Sequence, residues 1–440
     1  MNKILYSYYL IFFLTFSPVL SMNSNGNIRP DDEDKYYTNY TYKTNIKSVS
    51  IFRDGWKLSY PFFNLNSEEK LILRFDDLTE NANDYSYLIT HCDANWRPSD
   101  ISESDYIDGF NENRISDYDY SIGTLQKYIN YSISIPNDEF RLKLSGNYVI
   151  RIYESSEPDN VILTRRFSVV EHKIIIEGNV KFPDDFNQRI TSQQYNFTLD
   201  KRGYFINDPY RDLIVVINKN DRWFNLPQEI NPDFIQGEQL IYNNENKNLV
   251  PGGNEYRHFD IKSLKVSSDR VKNIAFHRPF YDVYLYDDVI RNTGEYKFQE
   301  DMNGKFFIKN QEGMDEDSRI DADYANVYLS LQREAPFLDG EVFVFGALSD
   351  WNFNNNNKMT YNFEKKSYEL KMYLKQGYYN YIYVYRNNFS NNLDFEILEG
   401  SFSETENDYL IYIYHHDPAE RYDKLVGVEI INSVVKGETP

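Results

Sequence analysis

Nowhere in this chain do apolar residues recur at helical spacing over a sustained stretch. Short runs of alternating aromatic and β-branched residues stand instead, each cut off by Gly, Asn, Asp or Pro. That pattern restricts the chain to stacked sheets of short strands. Ile46 to Phe52, Leu71 to Phe75, Tyr85 to Cys92, Tyr148 to Tyr153 and Val161 to Val170 make up a first series. The supply of strand-favouring rings is large, with 40 Tyr and 30 Phe. Cys92 is the only cysteine, so no intramolecular disulfide can staple the fold, and packed cores must hold it. A lone thiol in a strand reads as a small buried hydrophobe.

A length of 440 residues predicts several domains. We expect an all-β fold of three consecutive immunoglobulin-like or early-set β-sandwiches, over residues 43–171, 172–315 and 321–435. Residues 1–21 read as a cleaved signal peptide: Lys3 precedes an apolar run from Ile4 to Phe16, and Val19-Leu-Ser21 precedes the cut. Residues 22–42, with Asp31-Asp-Glu-Asp34, read as an acidic linker or arm. In the middle unit Tyr195, Phe197 and Leu199 share a face, and the unbroken apolar run Leu213 to Ile217 predicts a strand covered on both faces. Arg257 to Ile261 and Tyr281 to Tyr286 extend its sheet. Asn303-Gly304 is the strongest hairpin signal, between Tyr296–Phe298 and Phe306–Ile308. In the last unit Val327, Leu329 and Leu331 alternate, Tyr368, Leu370, Met372 and Leu374 share a face, and Tyr409 to Tyr414 closes the series.

The net charge of −21 argues against nucleic acid and anionic membrane surfaces as partners. After the signal no stretch is long and apolar enough to span a bilayer as a helix. There is no phosphate-binding Gly-rich loop, no dinucleotide fingerprint and no Gly-x-Ser-x-Gly elbow. His415 and His416 point to opposite faces of one strand, and Cys92 faces away from His91 and Asp93, so neither set chelates a metal. Asp301-Met-Asn-Gly304 places its Gly too early for a calcium loop and reads as a turn. No enzyme, cofactor or metal is therefore expected. Trp96, Trp223 and Trp351 stand beside turn residues, where a ring either lids a sandwich core or offers a flat face to a ligand.

The strand Tyr85 to Cys92 runs into a long, acidic loop over 93–124. Long ordered loops on β scaffolds carry contacts, although a structural crossover explains them too. Within the loop Trp96, Arg97, Tyr106 and Phe110 are the candidate partner contacts, because aromatic residues and Arg dominate interface energies.

Several stretches, in order along nearly the whole mature chain, resemble the plug protein family of the type IX secretion system. They are Tyr87-Leu-Ile-Thr-His-Cys-Asp-Ala-Asn-Trp-Arg-Pro-Ser-Asp100, Tyr106-Ile-Asp-Gly-Phe110, Ser145-Gly-Asn-Tyr148, Gly252-Gly-Asn-Glu-Tyr-Arg-His-Phe-Asp260, Lys375-Gln-Gly-Tyr-Tyr-Asn380, Glu399-Gly-Ser and Glu404-Thr-Glu-Asn407. Asn218-Lys-Asn-Asp-Arg-Trp223 departs from the pattern. The resemblance implies an exported, non-enzymatic protein, monomeric within a hetero-complex. It would sit at the periplasmic opening of an outer-membrane β-barrel translocon and close it while no shuttle partner is bound. Locally, Val344-Phe-Gly-Ala-Leu-Ser-Asp-Trp351 with Met359, Tyr368 to Leu374 and Gly377-Tyr-Tyr-Asn-Tyr381 resembles the early-set sandwich of glycogen-binding modules. That keeps an exported carbohydrate-binding or adhesive protein as the alternative.

Overall fold

The alternating runs do become strands. The structure, a computed structural model, describes residues 36–223, 230–244, 247–313 and 317–434. The expected signal peptide at 1–21 and the acidic part of the arm lie outside the described residues. Among the described residues the α-helices are four, of four residues each, and all the rest of the regular structure apart from one 3₁₀ turn is β.

The first sandwich consists of two facing sheets. Tyr85–Cys92 lies inside one sheet, between Gly146–Glu154 and the short Asn113–Arg114. Glu157–Val170 and Tyr40–Thr41 extend that sheet on the far side. The facing sheet runs Ile46–Arg53, Leu71–Asp77, Ile129–Ile135, Tyr118–Tyr120. Leu71, Leu73 and Phe75 alternate into the core and meet Tyr87, Ile89, Ile150 and Ile152 from across it. Cys92 faces the other way, fully buried with Trp96 and Val149, and burial pushes its thiol well up, away from the reactive thiolate.

Beyond residue 172 the strand pairing departs from the consecutive division into 172–315 and 321–435. Leu213–Lys219 pairs with Asp408–His416, which pairs with Asp423–Asn432. These three face a sheet of Ile175–Lys181, Ser192–Asp200, Gln239–Tyr242 and Phe234–Gln236, and together they enclose one core. The last two strands among the described residues therefore complete the middle sandwich. The third sandwich is inserted between them and the rest, and its core draws on residues from Phe259 to Leu398. One of its sheets runs Val271–His277, Phe280–Leu285, Tyr324–Gln332, Ser367–Lys375, Thr360–Asn362. In the other, Gly377–Asn387 is paired by Arg257–Asp260, Phe306–Ile308, Gly340–Phe345 and Leu393–Asp394. Arg257 to Ile261 and Tyr281 to Tyr286 thus belong to the insertion, and Tyr409 to Tyr414 to the middle unit. The reason is physical: Leu213–Lys219 is apolar on both faces and has to be covered twice, and Asp408–His416, just as apolar, supplies that cover from far along the chain.

The Asn303-Gly304 hairpin does not form. Both residues hold the positive φ that the dipeptide favours, and the Lys305 N–H donates to the Met302 carbonyl at 3.2 Å, so the tight turn exists. The strand it feeds, Phe306–Ile308, pairs with Gly377–Asn387 instead of folding back on 296–298. At Gly304 a Cβ would run into the rings of Trp351 and Tyr256, so the turn is wedged among side chains that no hairpin tip would meet.

Candidate functional site

The loop that begins at Asp93 folds back on itself. Its carboxylate accepts the N–H groups of Asn95 (2.8 Å) and Arg97 (2.9 Å), and the Asp93 N–H donates to the Arg97 carbonyl at 2.8 Å. Trp96 takes a left-handed backbone, φ 65°, in that turn. Its ring is thereby swung inward and is only 4% exposed. It stands edge-on to Trp223 at 5.0 Å, with the Arg166 guanidinium over its face at 4.5 Å. Tyr106, carried by the single turn Glu103–Tyr106, is buried as well and donates its hydroxyl proton to the Ile89 carbonyl at 3.1 Å. Neither ring is available as a surface anchor, because burying a large ring in its own core outweighs presenting it from an acidic loop. Arg97 is exposed, and Phe110 is 70% exposed. The four candidate contacts split into two that hold the first sandwich to its neighbours and to itself, and two that face outward.

The structure gathers most of the singled-out stretches at the seams between sandwiches. Gly252 and Gly253, where the chain leaves the middle unit, lie directly against Phe402 to Asn407, where it returns. The Phe402 N–H and the Thr405 hydroxyl both donate to the Gly253 carbonyl at 2.8 Å, and the Asn407 amide donates to the Gly252 carbonyl at 2.9 Å. A Cβ on Gly252 would overlap the Phe402 backbone, so only glycine allows the two crossings to touch. Just inside the insertion, Arg257 donates to Glu399 at 2.9 Å and to Asp288 at 3.0 Å. Burial would raise the Glu399 carboxyl, yet Arg257 and Arg291 hold it down at about 2. The insertion is clamped at its root by charge.

Other buried groups tie the insertion to the first sandwich. Lys375 pairs with Asp76 at 2.6 Å, their side chains 1% and 0% exposed. Asp76 also accepts from the Tyr324 hydroxyl at 2.7 Å and from Asn130 at 2.7 Å, and the Lys375 ammonium lies 3.9 Å over the Tyr128 ring. Burial lowers Lys375, and Asp76 opposes that. Arg165 meets Asp350 at 2.6 Å. The first sandwich meets the middle one where the Ala94 N–H donates to Asp423 at 2.8 Å and the Tyr414 hydroxyl to Asn147 at 2.9 Å.

All three units meet at Asp408. Its carboxylate accepts from Tyr60 of the first sandwich at 2.6 Å and from Asn303 of the insertion at 3.1 Å, while its own N–H donates to Asn220 of the middle unit at 2.8 Å. Beside it Lys305 lies 3.3 Å over the Tyr60 ring and donates to the Leu58 carbonyl at 2.7 Å. Burial lowers Lys305 to about 8 and raises Asp221 to about 6. A little further out burial lifts Asp301 to about 8, and burial raises Glu255 as well. Asp301 accepts the Asn303 N–H at 2.6 Å, which makes it a turn cap. The bonds of Asp408 and Lys305 cross the seams, whereas Asp301 caps a turn within the insertion.

Sequence reasoning passed over Asp76, Arg257, Asp288, Glu399 and Asp408 as locks. One signal was available: Asp76-Asp77 and Lys375 end strongly apolar runs, where an unpaired charge is costly and a partner is implied. Trp351, half-buried, packs edge-on with Phe345 at 5.3 Å and Tyr256 at 6.3 Å.

Residues 46–171, the first sandwich, match the family described as "Type 9 secretion system plug protein 1st domain". The chain belongs to the type IX secretion system plug family. A crystal structure of a protein from Parabacteroides merdae ATCC 43184, described only as hypothetical, is 34% identical, with a TM-score of 0.86 over 90% of this chain and 99% of that one. Among curated proteins nothing matches. At 90% of this chain, the likeness extends well beyond the first sandwich. The glycogen-module likeness of the C-terminal part finds no support in these comparisons.

Proposed function

We propose that this plug-family chain is the subunit that closes the periplasmic opening of the outer-membrane translocon barrel when no shuttle partner is bound. It acts by shape, without catalysis, as an exported monomer within a hetero-complex. The observation that carries the proposal is the set of buried polar locks, Asp76–Lys375, Arg165–Asp350 and the Asp408 cluster, in a chain of this family. A stopper has to resist deformation, and seams closed by desolvated charge pairs break only at considerable cost. Reversible partners meet on ordinary, largely polar surface, in keeping with an acidic exterior. Among the described residues no helix is long and apolar enough to cross a membrane. Phe110 and Arg97, exposed on the 93–124 loop, are the proposed contacts with the barrel.

The test is permeability. In a strain lacking the shuttle partner, deleting this gene makes the outer membrane leaky to large polar compounds, and detergent-solubilised outer membrane yields the barrel when this chain is pulled down. Replacing both Phe110 and Arg97 by alanine weakens that capture by about tenfold or more, the loss of one to two anchor residues. Unchanged permeability in that background, together with a chain that purifies alone, overturns the proposal.

A further inference from the structure

Between the first sandwich and the insertion lies an open cleft of about 460 Å³. One wall is the Ile46–Arg53 strand, the edge of its sheet. The other is the stretch 370–374 of Ser367–Lys375. That strand is paired along its length by Tyr324–Gln332, but on its outer side Thr360–Asn362 pairs only with its first three residues. The cause is local. Just before Thr360 the chain crosses to the opposite sheet, where the Val344 N–H donates to the Asn357 carbonyl at 2.9 Å and the Met359 N–H to Val342 at 2.8 Å. Among the described residues no backbone hydrogen bond reaches the outer edge of 370–374. On the facing strand Ser48 has a positive φ, 53°, and the register slips between Lys47 and Ser50, which keeps the two edges from pairing with each other.

The charge of the cleft opposes that of the molecule. Lys43, Lys47 and Lys371 line it, and none of them forms an ion pair with a described residue. Asp350 is the one acid along its walls, and its carboxylate is taken up by Arg165 at 2.6 Å and by the Thr41 hydroxyl at 2.5 Å. Burial holds the Lys47 ammonium below its usual range although Asp350 pulls the other way, so an arriving anion would relieve an existing cost. A free strand edge recognises extended backbone, and unpaired ammonium groups beside it select acidic side chains.

We infer that this cleft binds an extended, acidic polypeptide segment of a partner chain, which adds as a strand along 370–374 with its carboxylates on Lys43, Lys47 and Lys371. The inference stands apart from the plug reading, since it needs neither the barrel nor the pore. The probe is a fluorescein-labelled octapeptide of alternating Glu and Val, titrated into the full chain and read by fluorescence anisotropy. It binds, while the Lys–Val counterpart does not. Exposed Lys371, changed to Glu, weakens binding by about tenfold, and alternate N-methylation of the peptide weakens it comparably, because each removes one half of the recognition. The triple variant Lys43→Glu, Lys47→Glu, Lys371→Glu, if folded by circular dichroism, takes the Lys–Val peptide instead. If the triple variant does not fold, Lys371→Glu alone decides. Absence of binding by the Glu–Val peptide, equal binding of both peptides, or indifference to N-methylation overturns the inference.

Discussion

Lys375 shows how single residues carry this architecture. Its ammonium and the Asp76 carboxylate are both out of solvent, so removing one leaves the other charged in a low-dielectric seam. Lys375→Met should cost about 3–5 kcal/mol in urea denaturation, the range for breaking a buried pair by deleting one partner. Adding Asp76→Asn to that variant should recover part of the loss, because the stranded charge is gone; a double variant less stable than Lys375→Met would contradict this account. Glu399 gives a pH signature. Its carboxyl is near 4.3 when the chain is unfolded and at about 2 when folded, so its contribution is present above about 4.3 and fades as pH falls towards 2. Glu399→Gln should therefore be less stable than the parent at neutral pH, with the gap shrinking across that acid window.

At the scale of elements, strands were legible and their partners were not. Tyr85–Cys92, Leu71–Asp77 and Ser192–Asp200 stand where alternation places them, since period-two patterning is local and reports burial directly. Asp408–His416 was equally visible as a strand, yet nothing within it says that its neighbour is Leu213–Lys219, nearly two hundred residues earlier. The Asn303-Gly304 turn was right in its dihedrals and wrong in its consequence, because turn chemistry fixes a bend and not the destination of the next strand. Of the candidate contacts, the polar Arg97 stayed outside as its chemistry requires, while Trp96 and Tyr106 went inward by a turn geometry that residue type alone does not reveal. Two excisions check the nested order. Residues 254–401 made alone should give a dispersed amide NMR spectrum, since they hold a complete core. A chain stopped after residue 404 should expose the Leu213–Lys219 edge and aggregate.

For the molecule as a whole, three cores are joined by seams that no single-chain linker spans freely. The first sandwich is bonded to both others, and the insertion is rooted by two adjacent crossings. Domains connected in this way lose their neighbours' contacts when one unfolds, so calorimetry should record one cooperative transition. Three resolved transitions would show the seams to be weaker than their burial implies. The nesting also bears on biogenesis. A sandwich opened near residue 174 waits for the strand that ends at Asn432, so a chain cut short before that strand is left with an unfinished middle. A truncation of that kind removes the cover of a whole core instead of trimming its margin.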